Sequence, residues 1–184
     1  MRAHPNRSSG KNRVPVLEGK PRLDADAPES NIAGEFTPWF RWADRLDIPD
    51  GFGGHVHDYG GVYLLAHMPN RPQDGDPADF LDDAVIYVGE GAYLKRRWYD
   101  FERSAFLGLP GHSGGFSHRA WREQSGAAWE TLHVAALPIW FASEDSTDAP
   151  TSLARRFRLH VEQLLLWKLA VHRRGKQLTL LNAK

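Results

Sequence analysis

The chain of 184 residues contains no cysteine and no excess of charge of either sign, with 23 Lys and Arg against 23 Asp and Glu. Without cysteine it can form no disulfide, no thiolate zinc site and no cysteine nucleophile. The balanced charge argues against a general polyanion-binding protein, although a local basic patch is enough to bind nucleic acid. Long apolar runs are also lacking, so we expect a cytoplasmic protein with no membrane span and no signal peptide.

The length fits one domain with a substantial core. Residues 1–35 are rich in Arg, Lys, Pro, Ser and Gly and poor in apolar side chains, which predicts a disordered basic arm. Such an arm is either a solvated tail or a segment that touches phosphates. We assign residues 36–184 to one folded domain.

The pattern of apolar residues predicts an α/β (α+β) domain in which a small, three-stranded, mostly antiparallel sheet is flanked by helices. Runs at 62–66, 84–89 and 129–140 have the composition of strands, and the first two predict a hairpin with a long loop. Helical spacing predicts helices at 92–106, 118–124 and 151–174. Thr37 and Pro38 have the signature of a helix start, which predicts a short helix with Trp39 and Trp42 on one face.

Two tyrosines on the predicted hairpin form the first part of a candidate site. Tyr63 shares a strand face with Gly61, and Tyr87 shares one with Gly89, because side chains alternate along a strand. If the strands pair, both phenols can project to one side beside glycines that leave room for a phosphate. Two tyrosines taken alone are more simply explained as packing residues.

Arg97 and Glu162 add charge to this arrangement. Arg97 lies in the first turns of the helix that follows the second strand, and its guanidinium suits a phosphate. Glu162 has leucines at the neighbouring helical positions, so its carboxylate lies on an apolar arc and needs a cation, a strong hydrogen-bond donor or neutralisation. It is either half of a structural ion pair with an arginine or a ligand for a metal such as Mg²⁺.

These residues resemble the motifs of the GIY-YIG nuclease family, in the family's order. Gly-Val-Tyr at 61–63 and Tyr-Val-Gly at 87–89 match its two strand motifs with Val in place of Ile. Leu94 followed by Arg97 is similar to the family's helix motif, and the resemblance extends over residues 60–182. It implies the catalytic set Tyr63, Tyr87, Arg97, Glu162 and Asn182.

The resemblance implies an endonuclease that hydrolyses phosphodiester bonds in DNA with Mg²⁺ or Mn²⁺ held by Glu162. Tyr63 would act as the general base or help to position it, Arg97 and Tyr87 would stabilise the transition state, and Asn182 would orient its neighbours. The chain has no appended DNA-binding module, which favours a restriction or phage-defence enzyme. Specificity would then come from the loops at 70–82 and 108–117, from the arm, or from a homodimer or partner subunit.

The chain departs from the family one turn after the arginine, where many members carry a histidine and this sequence has Phe101. His112 or His118 could replace that histidine. The alternative function is a nucleic-acid-binding domain that keeps the fold and has lost catalysis.

A second alternative is a histidine-rich metalloprotein. His55 and His57 have a strand spacing that places both imidazoles on one face, with His67 nearby, and paired imidazoles bind zinc. No third ligand is fixed by the spacing, so a surface loop is the simpler interpretation.

Overall fold

The computed structural model describes residues 35–51, 53–70, 77–139 and 152–182. Within these ranges the chain forms a mixed α/β structure with a four-stranded sheet and three α-helices. The strands are β1 (Phe40–Arg41), β2 (Gly61–His67), β3 (Val85–Gly91) and β4 (Leu132–Pro138). The helices are α1 (Leu94–Ala105), α2 (Ser113–Ser125) and α3 (Leu153–His172).

All strand pairs in the sheet are antiparallel, and the strand order is β1-β4-β2-β3. The predicted hairpin is confirmed, because β2 pairs with β3. In its register Tyr63 lies opposite Gly89, and Gly61 lies opposite Gly91. This register places the glycines of β3 directly beside the residues of the candidate site.

The sheet separates two hydrophobic clusters, which explains why its central strands are almost continuously apolar. On one face, Val62, Leu64, Val88, Ala135 and Leu137 pack with α3, which contributes residues such as Val161 and Leu165. On the other face, Tyr63, Tyr87, Leu132, Val134 and Ala136 pack with α1, which contributes residues such as Trp98 and Phe101. Helix α2 packs against α1.

The prediction of three strands was wrong by one, because the two-residue strand β1 pairs with β4. The helix expected to start at Thr37 is absent for the same reason. The Thr37 backbone N–H donates to the Ala136 carbonyl at 2.9 Å, and the Thr37 hydroxyl accepts from the Ala136 N–H at 3.0 Å. Pairing with the sheet edge therefore overrides the local helix signal.

The two tryptophans of this segment do not share a face, contrary to the prediction. Trp39 packs with the cluster under α3, whereas Trp42 is buried in the cluster under α1 and begins a short 3₁₀ helix, Trp42–Asp44. An extended backbone places residues three apart on opposite faces of a sheet.

Other boundaries differ in detail. Helix α2 begins at Ser113, inside the region expected to be a loop at 108–117, and the strand expected at 129–140 starts as the 3₁₀ turn Trp129–Thr131. The cap of α3 is Ser152, whose hydroxyl accepts from the Arg155 N–H. The predicted basic arm (apart from Glu35), residues 71–76 of the long loop and residues 140 and 151 lie outside the described residues.

None of the helices that the structure describes has the length and apolar character needed to cross a membrane.

Candidate active site

The two tyrosines of the hairpin lie side by side, as predicted. The rings of Tyr63 and Tyr87 are 6.0 Å apart between centroids, and both are at most 5 % exposed. Glycines make the space for them: a Cβ on Gly89 would lie 2.5 Å from Tyr63 Cζ, and a Cβ on Gly114 would lie 2.6 Å from Tyr87 Cε2. The two phenol groups therefore fit only because the opposing strand and the start of α2 carry no side chain there.

Burial dominates the acidity of both phenols. It raises the pKa of Tyr87 to about 12, and it raises the pKa of Tyr63 well above its ordinary value, with a further increase from the neighbouring Tyr87. The Arg97 guanidinium acts in the opposite direction on both pKa values, through its charge and through hydrogen bonding. Both hydroxyls are therefore protonated at neutral pH unless further positive charge is brought close to them.

Arg97 reaches this pair of phenols from α1, and Gly91 gives its side chain room. A Cβ on Gly91 would lie 2.9 Å from the Arg97 Cβ. Burial lowers the pKa of Arg97, but the tyrosines and Glu90 outweigh it and raise that pKa above its ordinary value. Its Nε is buried and has no hydrogen-bond partner among the described residues. The site thus holds a permanent positive charge with donor capacity to spare for an anionic ligand.

The candidate site contains the imidazole of His112, although α1 carries Phe101 at the position where a histidine was sought in the sequence. His112 is the N-cap of α2, is 2 % exposed, and its Nδ1 accepts a hydrogen bond from the Gly115 N–H at 3.3 Å. Its Nε2 lies 3.5 Å from the Tyr63 hydroxyl oxygen. Burial, and next the charge of Arg97, lower the His112 pKa to about 4. The ring is therefore neutral at pH 7, and because Nδ1 accepts, the proton lies on Nε2 and is directed at Tyr63.

His118 does not share this position. Its Nε2 lies 3.0 Å from the Nε2 of His67, and the two rings are stacked. Phe101, at the position where the family has histidine, is fully buried and its ring centroid lies 5.8 Å from that of His112. Between the two histidines left open by the sequence, only His112 contacts a tyrosine of the site.

Glu162 approaches from the opposite side of the sheet, on α3. Its charge acts on the pKa values of both Tyr63 and Tyr87, so it lies within electrostatic range of the phenols. Glu162 on one side of the sheet and the phenols with Arg97 on the other side meet at β3. This edge strand packs against α3 and has no side chains at Gly89 and Gly91.

The carboxyl group of Glu162 has an unusual affinity for protons. Burial, and next the negative charge of Glu90, raise its pKa to about 7, while Arg97 opposes the rise. Glu162 forms no ion pair with the residues that the structure describes. The structural ion pair offered as an alternative explanation for Glu162 is therefore not found there. A half-buried carboxylate near a second carboxylate is electrostatically suited to a divalent cation. The positive charge of the ion would offset both the cost of burying Glu162 and its repulsion from Glu90.

The ion pair that adjoins Glu162 was not predicted from the sequence. Arg158, one turn earlier on α3 and 2 % exposed, places its Nε 3.2 Å from a carboxylate oxygen of Glu90 on β3. The helical spacing of Arg158 and Glu162 was a signal that both face the sheet. The partner, Glu90, could be found only from the position of β3.

Asn182 acts on the backbone of β3. Its Oδ1 accepts from the Val88 N–H at 2.8 Å, and its Nδ2 donates to the Val88 carbonyl at 2.6 Å. The preceding Leu181 N–H donates to the Ile86 carbonyl at 2.7 Å. Asn182 thus occupies the free edge of β3 and fixes the strand segment that carries Tyr87 and Gly89.

No protein-family model, curated protein or solved structure matches the chain. The function must therefore be argued from the motifs and from the geometry of the site.

Proposed function

We propose that the protein is a divalent-metal-dependent endonuclease that hydrolyses phosphodiester bonds in DNA, as the resemblance to GIY-YIG nucleases implies. The observation that carries the proposal is the convergence at one strand of a cation, two phenols, an imidazole and a carboxylate that forms no ion pair within the described ranges. A phosphodiester needs these groups: a positive charge for its oxygens, a polar group that holds the attacking water, and a ligand for a metal.

Glu162 is the residue that would hold Mg²⁺ or Mn²⁺, with Glu90 as a second carboxylate within electrostatic range. Carboxylate oxygens are the ligands these ions prefer. A bound divalent ion would polarise the phosphate, stabilise the leaving oxygen, and add positive charge near the phenols.

Tyr63 positions the attacking water with its hydroxyl oxygen. His112 donates its Nε2–H to that oxygen, which favours the phenolate form, and Arg97 favours it further. Once the phenol has released its own proton to solvent, the Tyr63 phenolate can accept a proton of the water as the water oxygen attacks phosphorus and the bond to the leaving oxygen breaks. Arg97, assisted by the Tyr87 hydroxyl, stabilises the negative charge that builds on the phosphate oxygens.

The test is cleavage of supercoiled plasmid with and without Mg²⁺ or Mn²⁺ by the wild type and by Glu162→Gln and Tyr63→Phe. Glu130→Gln is the matched control, because Glu130 is exposed and distant in sequence from the site. We expect metal-dependent nicking or linearisation by the wild type and the control, and none by the two site variants.

Full activity in either site variant would refute the catalytic role assigned to the residue that it replaces. Binding of DNA without cleavage, over a range of substrates and with both ions, would favour a catalytically inactive binding domain.

A further inference from the structure

We propose that His55, His57 and Asp58 form a second metal site, selective for a borderline transition ion of the Zn²⁺ type and separate from the site at Glu162. One ligand atom of each residue lies within 4.8 Å of those of the other two. Two imidazoles with one carboxylate form a donor set that favours zinc-like ions over Mg²⁺. The proposal does not depend on nuclease activity.

The backbone that carries these residues is fixed on two sides. The segment does not have the extended backbone that the strand spacing of His55 and His57 would require, and it forms the 3₁₀ turn Val56–Asp58. The Val56 N–H donates to the Ile48 carbonyl at 3.1 Å, and the Tyr59 carbonyl accepts from the Leu94 N–H at 2.9 Å. The turn is therefore tied to the first residue of α1, which gives a metal site a rigid base.

His57 is the central member of the cluster. Its side chain is more than nine-tenths buried, with its Nε2 3.3 Å from an Asp58 carboxylate oxygen. Two ligands of a tetrahedral zinc ion, each at about 2.1 Å from the metal, are separated by about 3.4 Å. The spacing between His57 and Asp58 thus already suits a shared ion.

The second ring nitrogen of His57 is compatible with the same assignment. Nδ1 is buried and makes no hydrogen bond of regular geometry to the residues in the described ranges, while the Leu46 backbone interacts with the ring. Metal-bound imidazoles commonly direct their second nitrogen at a backbone carbonyl, so metal binding on Nε2 would give Nδ1 a role.

His55 completes the set from the solvent side. Its ring stacks on that of His57 with centroids 5.2 Å apart and 19° between the planes. Because His55 and Asp58 are exposed, rotation of their side chains can bring their ligand atoms onto the same ion. His67, the third histidine suggested by the sequence, is instead paired with His118.

The cluster opens on a cavity of about 650 Å³ between the 3₁₀ turn and the exposed side of α1. Its lining includes His57, Asp58, Tyr93, Lys95 and Tyr99. Three protein ligands leave a fourth position of a tetrahedral ion for water or another ligand, as in open zinc sites. Lys95 acts electrostatically on His57, so its charge weakens cation binding.

The experiment is a titration of untagged, full-length protein with Co²⁺ in the presence of excess Mg²⁺, followed by its visible absorption and then by displacement with Zn²⁺. We expect one equivalent of Co²⁺ to bind and Zn²⁺ to displace it. His55→Ala and Asp58→Asn, both changes of exposed residues, should lose the absorption without a change in Tm. Lys95→Gln should bind Co²⁺ more tightly.

Two controls separate this site from others. Glu162→Gln should keep the absorption, because the catalytic centre is a different site, and so should His160→Ala, which removes an exposed histidine outside the cluster. Absence of Co²⁺ binding by the wild type, or equal binding by His55→Ala and Asp58→Asn, would overturn the proposal. Loss of the absorption in His67→Gln instead would assign the metal to the His67–His118 pair and overturn it as well.

Discussion

Replacing Glu162 by glutamine should stabilise the protein at alkaline pH and have little effect at acid pH. The reason is the pKa of this carboxyl group, which burial and next the charge of Glu90 raise to about 7 from its ordinary value of 4.5. The folded protein then binds a proton more tightly than the unfolded chain does. Stability therefore falls as the pH rises from about 4.5 to about 7, and the deficit is fully present above that window.

The magnitude follows from the same pKa values. At about 1.4 kcal/mol for each pH unit, the rise corresponds to about 3 kcal/mol at pH 8. Because the side chain is only partly buried, solvent screening reduces this value, and we expect about 1–3 kcal/mol. Glutamine keeps the shape of the side chain and carries no charge, so Glu162→Gln should recover this free energy at pH 8 and almost none of it at pH 4.

The assay is urea denaturation of the wild type, Glu162→Gln and the control Glu130→Gln at several pH values between 4 and 8, without divalent ions. The free energy of unfolding of Glu162→Gln should exceed that of the wild type by an amount that grows with pH. In a second series with Mg²⁺, the wild type and Glu130→Gln should gain stability and Glu162→Gln should not, because ligand binding to the folded state stabilises it. A difference that does not vary with pH, or a destabilised Glu162→Gln at pH 8, would refute the electrostatic reasoning.

Three further changes test the positions of single residues. Gly89→Ala should destabilise the fold by about 1–3 kcal/mol and reduce cleavage, because its Cβ would lie 2.5 Å from Tyr63 Cζ; thermal unfolding and plasmid cleavage measure both effects. Asn182→Ala should cost about 1–3 kcal/mol in urea denaturation, because both backbone groups of Val88 lose their partner. His112→Asn can keep an acceptor for the α2 cap but removes the contact with Tyr63, so cleavage should fall about 100-fold with Tm nearly unchanged. A Gly89→Ala or Asn182→Ala protein as stable as the wild type, or a fully active His112→Asn, would contradict these assignments.

The local parts of the site could be read from the sequence. Alternation along each strand placed Tyr63 with Gly61 and Tyr87 with Gly89, because the side-chain period of a strand is fixed by its backbone geometry, and it predicted that the two phenols share a face if the strands pair. Helical spacing was enough to identify Glu162 as a carboxylate on an apolar arc. The same alternation accounts for Leu132 and Val134 of β4, which lie on one face.

The tertiary structure decided everything that depends on the order of strands and on the packing of separate elements. Because the segment after Thr37 pairs with β4, it is extended rather than helical, and Trp39 and Trp42 lie on opposite faces of the sheet. The choice between His112 and His118 could not be made from spacing either, since it depends on where the start of α2 lies relative to Tyr63.

The charge environment of Glu162 shows most clearly what the sequence determines and what only the tertiary structure determines. The sequence determined that its carboxylate needs a cation, a strong hydrogen-bond donor or neutralisation, because burial of an unpaired charge is costly whatever the fold. Which of these it obtains depends on distances across the sheet. Arg158 pairs with Glu90 on β3, and Glu162 is left with a raised pKa beside Arg97 and the two phenols. Electrostatic energy varies with separation and burial, and the packing of α3 against β3 fixes both.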